Sequence, residues 1–118
     1  MSNLTNFAEN KLVDALLRGQ SLGAPATWHV ALFTSDPTET GAAGTEVSGG
    51  SYARVAVTAS LAAWAGTQSA GSTTASSGTG GATSNNSAIT FPTPSASWGV
   101  VTHWALMDAS SAGNAWIY

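Results

Sequence analysis

The chain has 118 residues and a formal net charge of −3, and only 8% of its residues are charged, against about 25% in an ordinary soluble domain. Three cations are too few for a basic face that binds nucleic acid, and no apolar run reaches the roughly 18 residues of a membrane span. The lack of cysteine excludes disulfides and thiol catalysis. A surface with so little charge is more typical of a member of an assembly than of a free monomer.

The first segment has helical periodicity. Its apolar side chains recur three or four residues apart and form one stripe. Asn3 or Asn6 is a candidate N-cap, and Gly19 is a natural left-handed stop. We therefore predict a helix over about residues 3–18. Its apolar stripe includes Leu4, Phe7 and Leu12.

After Gly23 the apolar period changes to two, which is typical of strands. Residues 27–34 are predicted to form a central strand, because both faces of this segment are largely apolar. Polar and apolar side chains alternate over residues 52–58, which predicts a strand with one solvent-facing side. Gly49 and Gly50, just ahead of this strand, are expected to form a bulge or tight turn. Further strands are predicted at residues 89–91, 97–107 and 114–118.

The two glycines and the nearby Arg54 also raise the alternative of a phosphate-binding loop. Such a loop lies between a strand and a helix N-terminus and usually carries a following Lys. Here the glycines precede a strand, and no Lys follows anywhere in the chain. The turn is therefore the favoured interpretation.

Residues 65–87 form a low-complexity tract of small and polar residues without charge or large apolar side chains. Such a tract buries too little surface to order itself, so we predict a flexible Ser/Gly/Thr-rich loop. The whole chain, residues 1–118, is expected to be a single domain. Its fold class is predicted to be mainly β: an antiparallel β-sandwich, jelly-roll-like, over about residues 26–118, preceded by the one N-terminal helix.

No residue is predicted to be catalytic, to bind a cofactor or to bind a metal. His29 and His103 could bind a metal ion with a third ligand such as Asp36 or Asp108, but their spacing matches no local metal motif. Both histidines are interpreted as core or interface residues. The chain has five tryptophans. Because bound sugars often stack on tryptophan rings, a module that binds host surface glycans is a further alternative.

Several stretches together resemble a family of small structural proteins of tailed bacteriophages, commonly labelled phage tail fibre proteins. They are LTNFAENKLVDALLRG at 4–19, PATWHVALFTSDP at 25–37, GTEVSGGSYARV at 44–55, NSAITFP at 86–92, WGVVTH at 98–103, Asp108 and Asn114. The resemblance covers most of the chain apart from the low-complexity tract. Relatives are expected to continue past the equivalent of Tyr118 through one more turn and strand, so this chain is expected to be a shortened form or to lack an edge strand.

The resemblance implies a structural component of a phage virion, associated with the tail or its fibres, and not an enzyme. It would be made in the cytoplasm of the bacterial host and act in the virion, on the tail or the capsid surface. A capsid decoration protein on the phage head is the alternative. Other virion structural proteins are the expected partners.

Copies of the chain are also expected to associate, most simply as a trimer, because fibre and decoration proteins often form closed cyclic assemblies. Residues 114–118 form an apolar segment that needs a strand partner or a cover. The candidate subunit contacts are Trp116, Tyr118, Leu4, Phe7 and Leu12.

Overall fold

A computed structural model describes residues 3–118 of the chain. In chain order the elements are α1 (Asn6–Leu17), β1 (Thr27–Phe33), β2 (Val55–Thr58), β3 (His103–Met107) and β4 (Ala115–Ile117). The strands form an antiparallel sheet in the order β2-β1-β3-β4. The predicted class, mainly β with one N-terminal helix, is confirmed.

The helix begins at a different cap from the one predicted. Thr5 has extended backbone geometry and its hydroxyl accepts a hydrogen bond from the amide of Ala8, so Thr5 is the N-cap and the prediction of Asn3 or Asn6 was wrong. Asn3 instead exchanges backbone hydrogen bonds with Tyr118. Gly19 has a φ of +68°, as expected for a residue that ends a helix.

β1 is the centre of the sheet, as its two apolar faces indicate. It pairs with β2 on one side and with β3 on the other. Paired residues share a face, and one face carries the core, in which the small side chains of alanines lie between Phe33 and Met107. The buried cluster contains Ala31, Phe33, Ala105, Met107 and Ala115.

The glycine pair forms a turn, as predicted. Gly49 and Gly50 both have positive φ, of +71° and +55°. The carbonyl of Gly50 accepts hydrogen bonds from the Ser95 amide at 3.0 Å and from Trp98 Nε1 at 2.8 Å. A side chain at position 50 would meet the Trp98 ring at 3.0 Å, so the site requires glycine for both its conformation and its space.

The sandwich or jelly-roll arrangement is not confirmed, since residues 3–118 contain one sheet and a sandwich needs two. Residues 89–91 and 97–102, predicted to be strands, lie outside the sheet. This part of the chain is held by side chains instead. Tyr52 stacks on Phe91, with ring centroids 6.3 Å apart, and meets Trp98 edge-on at 5.5 Å.

The base of the low-complexity tract is paired. Trp64 and Asn85 form an antiparallel bridge, and hydrogen bonds join Ala65 to Ser84 and Asn86 to Ala63. Further out, the Gln68 side chain bonds to the hydroxyls of neighbouring Ser and Thr residues in the tract. The two ends of the tract therefore leave the rest of the domain side by side.

Within residues 3–118, the helix falls short of the length and hydrophobicity that crossing a bilayer would need.

Candidate functional site

The most elaborate polar site is built by three side chains, Glu46, Tyr52 and Arg54, which we call the Arg54 cluster. Arg54 Nε and Nη2 donate to the two carboxylate oxygens of Glu46, both at 2.7 Å. The Tyr52 hydroxyl donates to Glu46 Oε1 at 2.9 Å and accepts from the amide of Leu32 at 3.0 Å. The Arg54 side chain is only 6% exposed, so the ion pair is shielded from water on that side.

Local structure explains how these residues meet. Glu46 forms an antiparallel bridge with Phe33, the last residue of β1, on the same side of β1 as β2. The Glu46 carboxylate therefore lies near the start of β2. Tyr52 and Arg54 follow the glycine turn and lead directly into β2, so both approach the same place from the other direction.

Arg54 also reaches the turn that joins β3 to β4. Its Nη1 donates to the carbonyls of Ala109 and Ala112, at 2.7 and 2.8 Å. The same turn is closed by Asp108, which accepts bonds from the Asn114 amide at 2.7 Å and from Trp116 Nε1 at 3.3 Å. One guanidinium thus joins the start of β2 to the β3–β4 turn.

The ionisation of the cluster follows from burial and from these bonds. Burial alone would raise the pKa of Glu46, but the hydrogen bonds from Arg54 and Tyr52 lower it below its ordinary value. Burial, together with the bond to Glu46, raises the pKa of Tyr52 to about 12. The cluster is therefore a fixed ion pair with a neutral tyrosine near pH 7, which suits a structural tie.

The two histidines do not come together. His29 pairs with Met107 and His103 pairs with Phe33, so they lie four residues apart along the strands, or about 13 Å. His103 is exposed and its Nδ1 lies 2.8 Å from the Thr102 hydroxyl. In the part of the chain that the structure describes, no three His, Asp or Glu side chains are grouped so that they could hold a metal ion.

Four of the five predicted contact residues make contacts within their own chain. Leu4 pairs with Ile117 beside Trp116, and Phe7 meets the Trp116 ring edge-on at 5.4 Å. Trp116 is only 6% exposed, and Tyr118 packs on the core. The cover that residues 114–118 need is thus supplied by the N-terminus of the same chain, and Leu4 remains partly exposed.

Leu12 is partly exposed. It begins an exposed apolar surface on α1 that is larger than the sequence pattern indicated. Beyond it, Val13, Leu16 and Leu17 project from the second half of α1, with Leu16 72% and Leu17 81% exposed. The adjacent pair Leu16 and Leu17 was the available signal, because neighbouring residues on a helix cannot both face one narrow stripe.

Two open grooves lie on and beside the sheet. The first, of about 330 Å³, is mostly apolar; it is lined by Val30, Leu32, Trp64, Asn85, Ile89, Phe91, Trp104 and Leu106. The second, of about 380 Å³, runs along β2 and is walled by Ser60, Ala62, Ala63, Ser87, Ala88 and Ile89. Sequence patterns indicated neither groove, because both depend on how distant segments pack.

The site offers buried structural ties and exposed apolar surface, which is what a building element of an assembly needs. Comparison with protein families agrees: the family model described as podophage GP4 fiber I protein gp80 matches residues 3–118. The chain belongs to this family.

The resemblance to phage tail fibre proteins that the sequence analysis identified is thereby confirmed. The family match covers every residue that the structure describes, so the helix, the sheet and the low-complexity tract are all part of one family unit. No curated protein matches the chain.

Proposed function

We propose that the protein is a structural subunit of a tail fibre in a podophage virion. The observation that carries this proposal is the match of a podophage fibre family to residues 3–118. The match favours a fibre over the alternatives of a capsid decoration protein and a glycan-binding module. The protein would be made in the host cytoplasm and then built into the virion.

The distribution of apolar side chains supports a role in assembly. Within residues 3–118, five of the eleven buried apolar residues are alanines, so the core is small. In the same described part of the chain, nine large apolar side chains are exposed: Leu4, Leu12, Val13, Leu16, Leu17, Leu61, Val100, Val101 and Trp104. Apolar surface on this scale is typical of contacts with other subunits.

The proposed partners are copies of the chain and other virion proteins. The exposed second half of α1 is the surface we assign to contacts with other fibre or tail proteins. A trimer is the proposed homo-oligomer by analogy with other closed cyclic fibres.

Mass spectrometry of separated tails and empty heads tests the location. We expect peptides of this chain to be enriched in the tail fraction and absent from empty heads. Enrichment in empty heads would overturn the fibre proposal in favour of capsid decoration. A thermal-shift screen against host surface glycans, with a shift of several degrees, would instead favour the glycan-binding alternative.

A further inference from the structure

The outer edge of β2 carries free backbone hydrogen-bonding groups. The amide of Ala59 donates to the carbonyl of Ala26 at 2.9 Å, one step beyond the pair of Thr27 and Thr58. Hydrogen-bonded pairs alternate along an antiparallel ladder, so Val55 and Val57 make the next bonds to β1. The amides and carbonyls of Ala56 and Thr58 therefore point away from the sheet. They have no bonded partner among residues 3–118.

The edge strand β2 is short, with four residues, but it carries no charge, proline or bulge. Natural edge strands carry Lys, Pro or a bulge, or are covered by another segment. The β2 sequence VAVT has neither charge nor proline, and its register with β1 is regular. At the other edge, residues 3–5 cover β4.

Space for another strand lies beside this edge. The groove of about 380 Å³ is lined by all four β2 residues and by walls of small, uncharged side chains. The nearest charged residue along the chain, Arg54, is neutralised by Glu46. Two chains with a net charge of −3 can therefore meet here without placing like charges opposite each other.

We propose that β2 pairs antiparallel with β2 of a second copy, about a twofold axis at Val57. In this register, Ala56 of each copy lies opposite Thr58 of the other. Each such pair exchanges two N–H···O bonds, so all the free groups of both residues are satisfied. Val57 then faces Val57 of the second copy in a non-hydrogen-bonded pair. The inference rests on the self-association proposed above, but it replaces the trimer of that analogy with a twofold dimer of defined surface and register.

The chain exposes more surface than a compact monomer of its size. The chain exposes 6979 Å², whereas a compact monomer of 11.8 kDa exposes about 5900 Å². The surplus is about 1000 Å², and an interface of standard size removes about 800 Å² from each partner. The chain as a whole therefore exposes surplus surface of the size that a dimer interface removes from each partner.

A cysteine cross-link tests the register, because the chain has no native cysteine. Opposed residues in a non-hydrogen-bonded pair have Cα atoms about 4.5 Å apart, within the range of roughly 4.4–6.8 Å that a disulfide spans. Val57→Cys should therefore form a disulfide dimer under mild oxidation.

Ala56→Cys is the matched control. Its two copies lie two residues out of register, about 8.5 Å apart, which is too far for a disulfide. Absence of a dimer with Val57→Cys, or equal cross-linking with Ala56→Cys, would overturn the proposal.

Proline tests the hydrogen bonds without oxidation. The Thr58 amide points outward, so Thr58→Pro leaves the bonds to β1 intact and removes one intersubunit bond from each copy. Two bonds of about 1 kcal/mol each predict a dimer dissociation constant about 30-fold higher, measured by light scattering or sedimentation. Thr58→Ala, which keeps the amide, should dimerise like the native chain.

Each outcome decides a different question. An unchanged dimer in folded Thr58→Pro, or a trimer or monomer of the native chain at 100 μM, would overturn edge pairing. A trimer would still leave self-association standing. If Thr58→Pro does not fold, the cysteine pair remains the test. The fibre proposal is decided separately, by the mass spectrometry of tails and heads.

Discussion

At the β4 edge of the sheet, residues 3–5 form three backbone hydrogen bonds with Trp116 and Tyr118. At the β2 edge, the outward groups of Ala56 and Thr58 bond to no other described residue. The closed edge joins the two ends of the described chain and buries Thr5 and Trp116, so its residues contribute to the stability of the monomer. The open edge buries little, and its backbone groups are available for a partner.

The largest effect is expected at Arg54, which joins the start of β2 to the turn that precedes β4. Arg54→Ala would leave the Glu46 carboxylate with only the bond from Tyr52, and two turn carbonyls without their Arg54 donor. Because Glu46 is 28% exposed and keeps the Tyr52 bond, the cost should lie at the low end for a buried ion pair, about 3 kcal/mol of unfolding free energy, measured by chemical denaturation.

Arg18→Ala is the control for this change. Arg18 pairs with Asp14 at 2.9 Å, but its side chain is 70% exposed. Removing an exposed pair of this kind costs about 0.5 kcal/mol or less. Equal losses in the two variants would contradict the role given to the Arg54 cluster.

The same substitution at both edges compares them directly. The Thr5 hydroxyl is buried, donates to the carbonyl of Ala115 at 2.6 Å and caps α1. Thr5→Val should therefore cost about 2 kcal/mol of unfolding free energy. Thr58→Val at the open edge should change the unfolding free energy of the monomer by about 0.5 kcal/mol or less, because Thr58 is exposed. Similar costs would remove the distinction between the edges.

Stability should fall at both ends of the pH range. Glu46 has a lowered pKa, so its contribution is present above its unfolded value of about 4.5 and is lost as pH falls through the folded pKa. The pKa of Tyr52 is raised from 10.0 to about 12, so its contribution is present below about pH 10 and is lost as pH rises towards 12.

Unfolding at a series of pH values tests both signs. Tyr52→Phe should reduce the loss of unfolding free energy at high pH. Glu46→Gln should reduce the loss at low pH, but part of that loss should remain because the pKa of Asp108 is also lowered. An alkaline slope unchanged in Tyr52→Phe would show that the hydroxyl is not the group responsible.

A small effect is also expected in the low-complexity tract, which starts and ends beside the open edge. Deleting residues 73–82 shortens the loop but keeps the paired base at Trp64 and Asn85. Since closure entropy depends on the logarithm of loop length, the unfolding free energy should change by less than about 1 kcal/mol. Failure of this variant to fold would mean that the tract is packed more firmly than its composition indicates.

Local sequence patterns determined much of the architecture. The helix, its stop at Gly19, the central strand β1 and the turn at Gly49 and Gly50 all followed from periodicity and backbone preference. These features depend on residues within about four positions, or on the alternation of side chains along one strand, so a single stretch of sequence contains the information. The family was recognisable for a related reason, since its motifs are local.

Tertiary structure decided the closure of the β4 edge and the exposure of the β2 edge. The Thr5 hydroxyl meets the Ala115 carbonyl across 110 positions, and Arg54 meets the carbonyl of Ala112 across 58. Neither contact is marked by a periodic pattern in the sequence, because each contact depends on the path of the whole chain. The same reason explains the strands that were predicted too long. Residues 97–102 have strand-like sequence, but pairing with β1 begins at His103, and a strand forms where its backbone groups have partners.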